Sequence, residues 1–390
     1  KVIALSLDVD SDAVASILSE KAAQLNQEAV DNGLVRENGA FKIIKGEQGI
    51  EVNVEDSIAA IENYISSEWD GGNAEIELVA EVVEPRGSEE DLELITDMMG
   101  SYTTNYKDSG QNRCDNISNA TSKINGTLLY PGEEFSVYEA IGPLDAANGY
   151  ELAGAYENGQ TVESYGGGVC QVSTTLYNAV ILAELEITQR SNHSMIVSYV
   201  KPSMDAAIAG DYKDLRFVNN QDIPIYIEGY TEGKNVTFKI YGHDTRPSNR
   251  VVTYESEVVS EQDPGTQYVA TGDPAGYMKT AQGKHIGYVA RLWKVVTVDG
   301  VEESREIFNK STYKASPKIV NVGTASADPN VSAVIGAALA TGDEATINAA
   351  VAPYAASAAA ILNPAPVEQP SQEEQAITGT VDESQITGGE

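Results

Sequence analysis

The chain has 390 residues, with 59 acidic and 25 basic side chains and a formal net charge of −34. Such a charge repels phosphates, which argues against a nucleic-acid partner and favours cationic groups instead. Two cysteines are too few for a disulfide scaffold, and no apolar run approaches the roughly 20 residues of a membrane span.

The length allows two to four domains. The chain starts at Lys1 without Met, so an upstream signal or anchor removed from the sequence is the expectation. Its 20 Tyr against 5 Phe suit exposed carbohydrate or peptide surfaces. The expected class is α+β and multidomain: an N-terminal α+β module, a central α+β domain, an extended all-β module and a disordered tail.

Residues 1–100 read as the first module. Residues 2–7 alternate as a strand. Ser11 or Asp12 caps a helix to about residue 30, with Val14, Ile17, Leu18 and Leu25 inward. Residues 41–44 and 49–52 read as a hairpin, residues 54–66 as a second helix on Ile58, Ile61 and Ile65, and residues 73–83 as a strand. Ser88, Glu89, Glu90 and Asp91 make an acidic helix start. Residues 8–12 begin like a calcium loop, but Ala13 and Ser19 stand where the loop needs Gly and Glu, so a capped turn is preferred.

Residues 101–246 form the central domain. A helix is expected over 112–124, a turn and strand over 130–136, strands over 186–188 and 195–200, a hairpin from 214–220 and 223–227, and a strand over 236–241. Residues 247–324 are β-rich, glycine-punctuated and poor in core-forming residues, so a flat module is expected. Residues 325–390 lack Lys and Arg and are rich in Ala, Pro, Gln, Ser and Gly. A short helix over 349–362 and disorder from 364 are expected there. The Asn-x-Ser/Thr triplets at Asn116, Asn119, Asn125, Asn235, Asn309 and Asn330 are what this composition yields by chance.

The densest chemistry lies at Gly166, Gly167, Gly168, Val169 and Cys170. The next apolar residues, Val172, Leu176, Ala179, Val180 and Ala183, recur at helical spacing. A glycine turn therefore delivers Cys170 to a helix start, where free N–H groups and a positive partial charge suit a thiolate. The dipole alone lowers a thiol pKa by only about 0.2–1.5 units, so a basic partner is needed. His193 is the candidate base; His243 and His285 lie further along. The N–H groups of Cys170 and of Gly167 or Gly168 are candidates for an oxyanion hole, although the glycines could serve a tight turn alone.

Other readings stay open. Cys170 could be an inert packed thiol or could pair with Cys114. His193 could be a structural hydrogen-bonder. Arg113, Arg216, Asp205 and Ser173 are candidates for supporting or substrate-binding roles, Asp205 by orienting His193, or else for ion pairs and caps. Asp115 and Glu163 show no spacing that favours a glycosidase. Nothing calls for a metal or another cofactor.

These residues resemble the VanW family. The likeness runs over about residues 100–245. It rests on residues 123–127, 130–136, 166–179, Asn192-His193-Ser194, Asp205-Ala206-Ala207 and 214–220, the run at 166–179 being the most specific. The first hundred residues are similar to a peptidoglycan-binding module that often precedes this region. Residues 250–324 are similar to the five-glycine extracellular module, ending in Val322-Gly323-Thr324. The resemblance implies a Gram-positive, extracellular or cell-wall-facing protein, tethered only through a segment not in this sequence, with peptidoglycan stem peptides and glycan as partners. It implies an L,D-transpeptidase in which Cys170 is nucleophile and His193 base. Against it stands a non-catalytic cell-wall binding protein. Cys114 departs from the family pattern, which keeps a disulfide open.

Overall fold

The computed structural model describes residues 9–157, 160–210 and 212–362. The expected strand over 2–7 and the expected disorder from 364 lie outside them. The fold mixes helices with several small sheets, and its later part is strand-rich. Two compact units result. One holds the chain up to Asp263 together with His285–Ser316; the other holds Pro264–Lys284 and the chain from Pro317.

The first unit begins with the helix Ser11–Leu25, capped by Asp10, whose carboxylate accepts from the Ala13 N–H at 3.0 Å. It ends earlier than the apolar spacing suggested, because Gln27 and Val30 turn away to bridge Ile50 and Glu47. Its buried residues are Leu18 and Ala22, whereas Ile17 and Leu25 are 60% and 55% exposed. The expected hairpin is also re-paired. Ala40–Ile44 pairs with Gly33–Glu37 through a turn in which Asn38 and Gly39 both have positive φ, and Gly49–Val52 pairs with Ala80–Val83. The helices Val54–Ser67 and Glu89–Glu93 form as expected, capped by Asn53 and Ser88.

The main core follows. An antiparallel sheet runs in the order Asp97–Asn105, Asn235–Gly242, Ile225–Glu232, Thr127–Leu129. The helices Gln111–Ile124 and Val169–Leu182 pack on it. Gly100 makes this possible: a Cβ there would lie 2.2 Å from the Ala179 carbonyl oxygen. A second small sheet orders Glu186–Gln189, Arg216–Val218 and Glu134–Ser136. The expected hairpin over 214–227 is therefore two strands in two sheets. Residues 195–200 are not a strand, although Met195 and Val197 are buried.

The long strands Arg250–Gln262, Gly287–Val298 and Val301–Tyr313 form a sheet that belongs to this same unit, with Leu292 in the main core. The β-rich stretch is thus divided. Thr266–Pro274, Met278–Gln282 and Lys318–Ala325 make the sheet of the second unit. The helices Pro329–Thr341 and Glu344–Val351 cover it and bury Ile335 and Ile347 against Val320 and Val322. Sequence composition had given only a short helix here, because small alanines hide an amphipathic face. The helical stretch Glu344–Leu362 is long and apolar enough by composition to cross a membrane, which no run was expected to be. Here its Ile347 and Val351 fill the small core.

Candidate active site

The glycine turn and its helix come first. Gly166 has φ 74° and Gly168, the N-cap, has φ 115°. Cys170 is therefore the second residue of the helix Val169–Leu182. Gly167 needs its missing side chain because a Cβ would sit 2.6 Å from the Ala153 carbonyl oxygen. Its N–H donates to the Ser164 carbonyl at 3.3 Å, and its carbonyl accepts from the Asn116 side-chain amide at 3.1 Å. The turn itself thus occupies the Gly167 N–H that the sequence offered to an oxyanion. Buried Asn116 also holds both main-chain groups of Glu151, so it ties the turn to its neighbouring strand.

One face of this helix is polar and reads the backbone of the loop beside it. The Cys170 sulfur meets the N–H and carbonyl of Ile208, each at 3.4 Å. The Thr174 hydroxyl accepts from the Ala206 N–H at 3.0 Å and donates to the Ala206 carbonyl at 3.2 Å. The Asn178 amide donates to the Met204 carbonyl at 2.8 Å. Four helical residues rise about 6 Å and two extended residues about 6.6 Å. Steps of four on the helix and two on the loop therefore stay in register, running antiparallel.

The same loop carries Asp205. It is fully buried and accepts from both the main-chain N–H and ring Nδ1 of His193, each at 2.7 Å. Its other oxygen accepts from Arg190 Nη2 at 3.0 Å and from the Tyr313 hydroxyl. With Nδ1 engaged, Nε2 is the ring nitrogen left for the neighbouring Cys170, whose charge acts on the imidazole. Burial works against both charged forms. For Cys170, the hydrogen bond and charge of His193 override burial and draw the thiol below its usual pKa. For His193, Asp205 and Cys170 override burial and raise the ring to about 9. Burial would raise Asp205, but the His193 hydrogen bond and the Arg190 charge hold it low. Together these shifts favour a thiolate–imidazolium pair oriented by a carboxylate.

The remaining candidates divide. Arg113 reaches the site's edge, donating to Ser109 at 2.7 Å and to Gln171 at 2.8 Å. Arg216 does not join it. Its bonds go to Glu134, Glu139 and Asp214 around the small sheet. Ser173 is 0% exposed on the core face, its hydroxyl buried without a hydrogen-bond partner, so it is not placed to touch substrate. Both cysteines are free thiols, and Cys114 points its sulfur at the Ser109 carbonyl, 3.6 Å away, which removes the disulfide alternative. Among the described residues, no group of three or more His, Cys, Asp or Glu could hold a metal.

Sequence reasoning missed Arg190, Tyr199 and Tyr313. Tyr199 sets its ring edge-on to His193 at 6.5 Å, and its pKa is raised by burial and by the nearby Cys170 charge. A polar i, i+4, i+8 face at Cys170, Thr174 and Asn178 was visible in the sequence and could have announced the loop beside it.

Comparison with known proteins finds three family matches along the chain. Residues 112–241 match the family described as "VanW like protein", residues 1–70 the "Putative peptidoglycan binding domain", and residues 253–325 the "G5 domain". The uncharacterized protein YoaR of Bacillus subtilis (strain 168) is 30% identical over 237 residues, which cover 60% of this chain and 76% of YoaR. The vancomycin B-type resistance protein VanW of Enterococcus faecalis (strain ATCC 700802 / V583) is 30% identical over 118 residues, 29% of this chain and 42% of that protein. A solved IgA1 protease G5 domain aligns with 20% of this chain and 94% of its own, at 26% identity and a TM-score of 0.15. The domain matches on either side of the central region associate the protein with the cell wall, and the chain belongs to the VanW-like family.

Proposed function

We propose that the chain is an exported, cell-wall-facing L,D-transpeptidase of peptidoglycan. The observation that carries this reading is the buried His193–Asp205 pair next to Cys170, a thiol at a helix start. The Cys170 thiolate attacks the carbonyl carbon after the L-centre of the third stem residue. The C–N bond breaks, the terminal D-residue leaves as an amine, and protonated His193 supplies its proton. A thioester remains. The side-chain amine of a second stem attacks it and gives a proton to His193, the C–S bond breaks, the Cys170 thiolate leaves and the cross-linking amide forms; water in that place gives a carboxypeptidase. Gly168 and Cys170 offer main-chain N–H groups at the helix start for the tetrahedral oxyanion.

The test is incubation of the full chain with disaccharide-tetrapeptide muropeptides, read by mass spectrometry. An acyl-enzyme and a cross-linked dimer are expected from wild type and neither from Cys170→Ala. If wild type gives neither species and behaves like Cys170→Ala, the reading fails.

A second reading, a non-catalytic cell-wall binder, draws on the peptidoglycan-binding and G5 matches. Sacculus pull-down by Cys170→Ala, with full complementation of the cellular phenotype, is the result that would select it.

A further inference from the structure

The VanW-like match ends at residue 241, and the contacts of the site do not. The loop that carries His193 and Asp205 is fastened at both ends to one strand terminus, residues 311–314, inside the G5 match or just before its last strand. At the loop's start, Arg190 Nη1 donates to the Ser311 hydroxyl at 2.9 Å, the Asn192 amide donates to the Thr312 carbonyl at 2.9 Å, and the Lys314 N–H donates to the Ser194 carbonyl at 2.7 Å. At its end, the Ser203 N–H donates to the Tyr313 hydroxyl at 2.7 Å, and that hydroxyl donates to Asp205. Strand alternation explains the division of labour. Ser311 and Tyr313 point to one buried face and supply side chains, while the main chain of 312 and 314 bonds the loop.

We propose that Tyr313 is a positioning residue of the Cys170 site, its hydroxyl fixing the Asp205 carboxylate that aims His193 at the thiol, so that the strand Val301–Tyr313 is part of the catalytic machinery. This rests on the reading of Cys170 and His193 as a reactive pair. Tyr313 is 2% exposed and could be replaced by Phe with little change of shape. What Phe lacks is the donor to Asp205 and the acceptor for Ser203. With only Arg190 left on its second oxygen, the carboxylate is held less firmly and aims the imidazolium less well, which weakens the partner of the thiolate. The ionisable groups facing one another here are Cys170, His193, Asp205, Arg190, Tyr199 and Tyr313, with Arg113 close enough to act on Tyr199.

The experiment measures the pH dependence of Cys170 alkylation by iodoacetamide in the full chain, read by peptide mapping so that Cys114 is counted separately. Circular dichroism confirms folding. Tyr313→Phe is expected to move the Cys170 titration upward by about one unit, slowing alkylation about tenfold at acidic pH. Ser311→Ala, which removes the acceptor of Arg190 Nη1, is expected to move it the same way by less, and it carries the test should Tyr313→Phe not fold. Tyr254→Phe removes a hydroxyl that bonds the Ile181 carbonyl, away from this loop, and is expected to leave the profile unchanged. A folded Tyr313→Phe with the wild-type profile, or a folded Ser311→Ala with it where Tyr313→Phe does not fold, overturns the proposal alone. An ordinary thiol titration in wild type overturns both it and the reactive-pair reading. Shifts as expected without muropeptide turnover overturn only the substrate.

Discussion

Asp205 receives two hydrogen bonds from one residue, the main-chain N–H and the ring Nδ1 of His193, both at 2.7 Å. The double grip fixes the tautomer and the rotation of the imidazole at once. Asp205→Asn keeps the shape but offers a weaker, ambiguous partner to Nδ1. Acyl transfer is expected to fall about 10²–10⁴-fold, and the Cys170 titration to move toward that of a free thiol. Muropeptide turnover and alkylation rates measure the two effects separately.

The raised His193 pKa has a signed consequence for stability. A ring at about 9 in the folded chain, above its ordinary 6.5, contributes stability that is fully present below the unfolded value. That stability is lost as pH rises through about 9. The melting-temperature gap between wild type and His193→Gln should therefore narrow from mildly acidic to alkaline pH. A gap that widens over that range would contradict the assignment.

The glycines are predicted to fail for different reasons. Gly167→Ala forces a Cβ onto the Ala153 carbonyl at 2.6 Å and should cost about 1–3 kcal/mol. Gly168→Ala adds a left-handed residue at φ 115° and crowds Arg113 and Ile117 at 3.0 Å, a further strain of about 1–3 kcal/mol. Urea unfolding should rank both below wild type.

Glu184 anchors the long-stranded sheet to the helix Val169–Leu182 by accepting from Arg250 at 2.5 and 3.0 Å and pairing with Lys294 at 2.8 Å. Burial alone would raise it, but these cations draw its pKa down to about 2. Its contribution is therefore present above the unfolded carboxylate range and lost as pH falls through about 2. Glu184→Gln leaves the cations without their counter-charge. It should cost about 2–4 kcal/mol in urea at neutral pH, with the deficit shrinking in acid.

Arg216 supplies a negative control. Its partners lie around the small sheet, so Arg216→Gln should leave the alkylation profile of Cys170 unchanged.

Local chemistry was legible in the sequence and long-range pairing was not. The glycine run, the helix behind it and the helix start at Ser88 are set by neighbours within four residues, and they formed where the pattern put them. The Asn38-Gly39 turn was an equally local signal for the hairpin that does form, and the apolar run at 49–52 drew attention from it. Strand partners depend on residues far apart in the chain, which is why residues 214–227 divided between two sheets. His193 and Asp205 were visible as chemistry, but the bond that joins them was only one option among several. Tyr313 could not be found this way. It meets Asp205 across 108 residues, from a stretch whose alternation reads as ordinary strand.

The polar ladder between helix and loop makes the site sensitive to counting. Cys170, Thr174 and Asn178 meet residues 208, 206 and 204 because two unlike backbones advance at nearly equal pace. A single residue deleted between 204 and 208 would turn the alternate side of the loop toward the helix, presenting side chains where main-chain groups now stand. The sulfur would keep its place on the helix, while Asp205, and the histidine it steers, would face elsewhere. The number of residues in this loop is therefore part of the chemistry, as much as the identity of Asp205 within it.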